Sequence, residues 1–494
     1  MPPTSHVKEA AKKAAKRKTS TDSSTADSSD SSAGSSLPPG KRRRRDGSST
    51  PLKTTTTAAP SGPPPGPQPS TPAADSGRSS ATPPTTAAAV AAPSGPPPGP
   101  PPSSPAVVCD RFKGEILEVR FDDAVLLSEK GTSIPLANPH WKAVSGGTAE
   151  TNPAAIPVKT KPDIKATVKV KVIKSDWTDL KKLNGKLGVL ELEGDCPTSV
   201  GEHSVSVKVK GTPPETLFTE DGEMVWDIDV PCVTGKNLGT TKIEIYGIVE
   251  DTSYPFLSSG RPIEALNFLY TKIPTMKGMS VKDSDNPDTT ITTAITQYCH
   301  THHGLAYDTT SGKPYYLISG TDFNLKQYIN KHSTKCNCYD QASAVLVFSG
   351  IIGLNGTKCF IGWGGVFGTQ SRTFGYIKTA KLVGGVDTNS PFYTAAGTGA
   401  IVPQLDVKRT SFGNHEFYYN TKINRVFDAC AGPVLGGYDL KDYLESVVDT
   451  SVVDSRFYYP TLPSKPLENP QGAALYNAYL WYPPISRLIS SLVI

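Results

Sequence analysis

Six short stretches between residues 112 and 249 alternate apolar and polar side chains with a period of two. They are FKGEILEVRF, DIKATVKVKVI, KLGVLELEG, EHSVSVKVKG, EMVWDIDV and TKIEIYGIV. Successive side chains of a strand leave on opposite faces, so this pattern suits half-buried strands and excludes an amphipathic helix. Gly, Pro, Asn and Asp fall between the stretches and predict turns. Six such strands in succession predict an antiparallel β-sandwich over residues 109–254. No titratable cluster in it stands out from ordinary strand surface, which makes scaffold or recognition its expected role.

The pattern changes after Tyr254. RPIEALNFLYTKI has helical spacing, and TTITTAITQYCHTHHGLAYD sets Ile291, Ala294, Ile295 and Tyr298 on one helical face. FNLKQYINKH predicts a further short helix. KCNCYDQASAVLVF opens a buried helix expected over Tyr339–Ser349 and stopped by Gly350. Strand-like TKCFIGWGG, TFGYIKTAKLVGG, NHEFYYN and KINRVFDA follow. Helices first and strands afterwards describe an α+β unit over residues 255–494.

Residues 1–108 are different in kind. They are rich in Ser, Thr, Pro, Ala and Gly and hold too little apolar surface to offset their ordering entropy, so a long disordered tail is expected. PSGPPPGPQPS recurs within it as PSGPPPGPPPS, an extended proline-rich repeat. The tail carries thirteen Lys and Arg against six Asp and Glu, a net +7, while the whole chain is +5. The rest is therefore close to neutral, which argues against a nucleic-acid-binding core. KRRRR at Lys41–Arg45 reads equally as a nuclear-localisation or anionic-surface patch and as a solvated charge cluster. Its expected partner is an import receptor or an anionic surface. No apolar h-region follows Met1, so no Sec-type signal is expected, and the expected location is intracellular, cytoplasmic or nuclear. The apolar terminal RLISSLVI is too short to span a bilayer.

The two cysteines of KCNC admit a metal site, a disulfide or a nucleophile. Eight cysteines scattered over 494 residues form no disulfide framework, and reduced thiols are the default. CHTHH and CNC together offer zinc ligands, but C-x-C is not the usual C-x2-C knuckle and no second such pair occurs. No metal or cofactor is expected. The three histidines of CHTHH are expected to cap a helix end and face solvent, Cys336 to be a loop thiol and Cys430 to be packing. Cys338 differs. A thiol in the first turn of a helix meets unpaired N–H groups and the positive end of the dipole, which favour thiolate. Taken alone it reads as a buried helix cysteine. NHEFYY and KINRVFDACAG predict a hairpin that brings His415 and Asp428 near each other on adjacent strands. An aspartate there would fix the tautomer of the ring and stabilise its imidazolium.

CYDQA, NHEFYY and INRVFDACAGP, in that order, resemble the transglutaminase-like superfamily of cysteine acyl-transfer enzymes. Cys338 and Ala342 match its helix-opening cysteine and small residue, His415 its strand histidine and Asp428 its aspartate. ITTAITQYCHTHHGLAYD is similar to the helix and YD segment before that cysteine. The resemblance covers about residues 285–440. It implies a papain-like fold, a Cys-His-Asp triad, a thioester intermediate and a protein or peptide substrate. The cross-linking branch typically has a GQCW pattern, whereas Lys335-Cys336-Asn337 precede Cys338 here and Tyr339 follows it. Hydrolysis of a peptide or amide bond is the expectation. The alternatives are a non-catalytic binding or structural protein on the same fold, or a delivered effector that deamidates or cross-links host proteins.

Overall fold

The computed structural model describes residues 111–231, 237–319, 321–362, 381–393, 399–403, 410, 412, 414–447, 479–481, 489 and 491–494. All belong to the unit Pro98–Ile494. The tail, its expected disorder and the Lys41–Arg45 run lie outside the described residues.

The alternating stretches form strands: β1 (Phe112–Phe121), β2 (Trp141–Lys142), β3 (Glu150–Thr151), β4 (Ala154–Pro157), β5 (Lys165–Ser175), β6 (Leu180–Leu187), β7 (Leu190–Pro197), β8 (Gly201–Val209), β9 (Phe218–Ile228) and β10 (Asn237–Ile248). Along β5, Ala166, Val168, Val170 and Val172 are buried, while Thr167, Lys169 and Lys171 between them reach solvent. KLGVLELEG, expected to be one strand, is instead the centre of a hairpin. Leu187 pairs with Leu190 across a two-residue loop, and Gly188 takes the positive φ of +54° that such a turn requires. Hydrogen bonds join the strands into one ten-stranded sheet, in the order β3-β2-β1-β5-β8-β7-β6-β9-β10-β4. The alternation predicted two packed sheets, but the ladder runs through all ten strands. The sheet curls, so that β1 also packs against β10.

The second half mixes helix and strand. In chain order it holds α1 (Ile263–Lys272), α2 (Pro287–Gln297), β11 (Ala306–Tyr307), α3 (Leu325–Ile329), β12 (Lys335–Cys336), α4 (Cys338–Ile352), β13 (Thr357–Gly362), β14 (Asn414–Asn420), β15 (Arg425–Asp428), β16 (Val434–Leu435), α5 (Leu440–Val447) and β17 (Tyr479–Trp481). A five-stranded sheet, ordered β16-β15-β14-β13-β17, packs against α4. Most of TFGYIKTAKLVGG falls outside the described residues.

α4 begins one residue before the expected Tyr339 and ends past Gly350. That glycine lies inside the helix because the Tyr254 and Phe256 rings leave no room for a Cβ, which would stand 2.8 Å from each. The helix stops at Gly353, in the left-handed conformation at φ +98°. There Arg261 ties the connecting segment to the helix end. Its guanidinium donates to Ile351 O at 3.1 Å, Asp251 Oδ1 at 2.9 Å and Thr252 Oγ1 at 3.3 Å.

Candidate active site

α4 is buried on nearly every side, so its start is fixed by polar capping rather than by an amphipathic face. Asn337 is the N-cap: its side chain accepts from Asp340 N at 3.1 Å, and Asp340 Oδ2 accepts from Asn337 N at 3.2 Å. The Asp340 carboxylate also accepts from the N–H groups of Tyr315, Tyr316 and Leu317, each at 2.9 Å. Burial pushes its pKa up, against the pull of those N–H groups. One carboxylate thus caps the helix and pins the loop before it. Cys338 is the first residue of α4 and is 3% exposed.

β14 and β15 pair antiparallel, Tyr418 opposite Phe427 and Tyr419 opposite Val426. Continuing that register sets Asp428 across from Phe417, two residues from His415 on the same face. The side chains meet: His415 Nε2 lies 2.7 Å from Asp428 Oδ2. The Tyr443 hydroxyl on α5 donates to the same oxygen at 2.5 Å, and Asp428 Oδ1 accepts from Cys430 N at 2.7 Å and Ala431 N at 3.0 Å. His415, Asp428 and Tyr443 are all at most 1% exposed. Burial lowers the imidazole pKa, but the Asp428 charge and hydrogen bond, together with the Cys338 sulfur, outweigh it and raise it to about 10. Burial raises the Asp428 pKa, and the His415 charge and the hydrogen bonds reverse this to leave it below the ordinary value.

The other ring nitrogen, His415 Nδ1, is buried and makes no aligned hydrogen bond among the described residues. Cys338 nevertheless interacts with the His415 ring by charge and proximity. The structure therefore brings His415 and Asp428 into direct contact and Cys338 beside them.

Other expectations are corrected. Cys336 is in strand β12, fully buried, and its sulfur accepts from Gln341 Nε2 at 3.1 Å. Of the CHTHH histidines only His302 faces solvent. α2 runs on into a π-helical turn, Tyr298–His302, which carries the buried face past its expected end. His303 Nε2 lies 2.8 Å from Tyr328 O, and both His300 ring nitrogens are buried without partners among the described residues. Burial lowers the His300 pKa, partly offset by Asp428. Cys430 is buried, as expected of packing. Among the described residues no group of three or more His, Cys, Asp or Glu side chains could hold a metal ion, and no helix could cross a membrane.

Tyr443 and Asp340 escaped the sequence reading. Leu440, Tyr443, Leu444 and Val447 have helical spacing that could have revealed α5. Nothing local marked the Tyr443 hydroxyl as the partner of Asp428.

No protein-family model matches this chain, and no curated protein matches it. Among solved structures, a red sea bream transglutaminase is similar at 9% identity and a TM-score of 0.28, over 55% of this chain and 50% of that one. The chain thus spans half the length of that transglutaminase. The likeness is weak.

Proposed function

We propose that this chain is a cysteine-dependent acyl-transfer enzyme that hydrolyses a peptide or amide bond through a thioester on Cys338. The observation that carries the reading is the buried 2.7 Å contact between His415 Nε2 and Asp428 Oδ2, with Nδ1 making no aligned hydrogen bond among the described residues and Cys338 beside the ring. That constellation suits a nucleophile, a proton carrier and an orienting carboxylate. The Cys338 sulfur attacks the acyl carbon, the carbonyl pair moves to oxygen, and the imidazolium gives its proton to the departing amine. Water then attacks the thioester, gives its proton to the neutral ring, and the thiolate leaves. The helix-opening cysteine, strand histidine and aspartate on the next strand favour a papain-like, transglutaminase-type arrangement. The missing GQCW pattern favours water over an amine as acceptor.

The 3% exposure of Cys338 favours a second reading, a binding protein that retains the arrangement without turnover. Incubation with p-nitrophenyl acetate, followed by peptide mass mapping, separates them. The enzyme reading expects an acetyl thioester on Cys338 that Cys338→Ser abolishes. A thioester spread evenly over the buried cysteines, or none at all, would support the second reading.

A further inference from the structure

The proposed mechanism asks two opposed things of His415. The ring must hold a proton, so that Cys338 is left as thiolate, and it must then release that proton to the departing amine. A carboxylate shared with nothing else serves the first demand at the expense of the second. The structure sets a third side chain, Tyr443, on the contact between His415 and Asp428.

The Tyr443 ring is fully buried and packs on Phe417, with the ring centroids 4.6 Å apart. Its hydroxyl donates to Asp428 Oδ2 at 2.5 Å, the oxygen that His415 Nε2 meets at 2.7 Å, and stands 3.2 Å from Nε2 itself. Asp428 Oδ1 is taken by the N–H groups of Cys430 and Ala431. The hydroxyl and the ring therefore share one oxygen. With these three distances, a hydroxyl hydrogen on the line to Oδ2 lies nearer Nε2 than the phenolic oxygen does. The positive end of the O–H dipole then faces the imidazolium and opposes its charge. Burial first, then the Asp428 charge, raises the Tyr443 pKa well above the ordinary value, so the phenol remains a donor. The other titratable groups around the pair are Cys338 on α4, Cys430 after β15, His300 on the π turn and Glu416 beside His415 in β14. Glu416 is ion-paired with Lys358 of β13 at 3.3 Å. Among the described residues none of these hydrogen-bonds Oδ2.

We propose that Tyr443 is a positioning residue that shares Asp428 Oδ2 with the His415 ring and weakens the carboxylate's hold on the ring proton, so that the ring can pass it to a departing amine. The inference rests on the reading of Cys338 as nucleophile. In the step concerned, the carbon–nitrogen bond of the tetrahedral intermediate breaks and its electron pair goes to nitrogen. The nitrogen takes the proton of the imidazolium, and the C=O re-forms from the oxyanion. An amine leaves only with that proton, whereas p-nitrophenolate leaves without one. Tyr443 should therefore matter for amides and not for activated esters.

Tyr443→Phe in the full chain keeps the ring on Phe417 and removes only the hydroxyl. The first readout is the protonation of His415, by NMR of histidine-labelled protein below the melting transition, with the signal assigned by its loss in His415→Ala. It is read near pH 10, the midpoint of the wild-type ring. The expected result is a midpoint raised by about one pH unit, which takes the ring from about half to about nine-tenths protonated. A purely structural role would loosen the contact with Asp428 and lower that fraction. The second readout is the first-turnover acylation of Cys338. Acylation by p-nitrotrifluoroacetanilide is expected to slow by about three- to tenfold, with the rate for p-nitrophenyl acetate unchanged. An unchanged or lowered protonated fraction, or an anilide rate that falls no more than the ester rate, would overturn the inference while leaving the nucleophile reading intact. If neither reagent acylates wild-type Cys338, both readings fail.

Discussion

Asp428 takes four hydrogen bonds, from His415, Tyr443 and the N–H groups of Cys430 and Ala431, which fills its acceptor sites and keeps it ionised in the interior. Its charge in turn holds His415 protonated. For Asp428→Asn, burial is opposed by the Cys338 sulfur but no longer by the carboxylate, so the imidazole pKa is expected well below its wild-type value of about 10. The alkaline limb of the thiol-acylation rate should fall by more than about two pH units, measured as a pH profile of p-nitrophenolate release. Stability follows with the same signs. The raised His415 pKa contributes stability that is complete below pH 6.5 and is lost as pH rises through about 10. The lowered Asp428 pKa contributes stability that is complete above pH 3.8 and is lost as pH falls through its native value. The melting-temperature gap between wild type and Asp428→Asn should therefore be widest between these two limits and shrink on either side. Tyr443→Phe removes one donor from the carboxylate and is expected to cost about 1.5–3 kcal/mol in urea unfolding. The histidine and aspartate were legible because a hairpin fixes their register locally. Tyr443 was not, because only the tertiary docking of α5 delivers it.

At the scale of elements, the start of α4 depends on two short polar side chains. Asn337→Ala should cost about 1 kcal/mol, the usual loss for an N-cap. Asp340→Ala should be far worse. It strands the buried N–H groups of Asn337, Tyr316 and Leu317 at about 1–3 kcal/mol each, together with the part-buried one of Tyr315, a large part of the stability of an ordinary domain. Loss of soluble protein, or a collapsed melting temperature, is the expected outcome for Asp340→Ala and not for Asn337→Ala. The helix itself was legible from CYDQASAVLVF, but its ends were not. Gly350 read as a stop because a glycine in sequence looks the same whether it ends a helix or lets aromatic rings approach one. The π turn after α2 was invisible for a similar reason. Nothing local distinguishes a histidine that caps a helix from one carried into the core by an extra residue per turn.

Across the whole molecule, the period-two pattern told which residues form strands but not how the strands assemble. Alternation fixes the faces of a strand, whereas the joining of ten strands into one curled sheet depends on pairings between residues far apart in the chain. The sheet and the helical half meet at Arg261, which lies at the opposite end of α4 from Cys338. Arg261→Met should lower stability by about 2–5 kcal/mol by leaving buried carbonyls unpaired, yet leave the reactivity of Cys338 unchanged below the melting transition. Removal of residues 1–105 should likewise leave it unchanged, since every residue named in the candidate site comes from the described part of the chain after them. The central claim, that Cys338 is a nucleophile held by His415, is tested most directly by competitive alkylation. At about pH 5.5 an ordinary thiol with a pKa of about 8.5 is only about 0.1% thiolate. Peptide mapping after brief iodoacetamide treatment at that pH should find Cys338 labelled at least about tenfold faster than Cys336, with the advantage lost in His415→Ala. Equal, slow labelling of the two cysteines in the wild-type protein would contradict the claim.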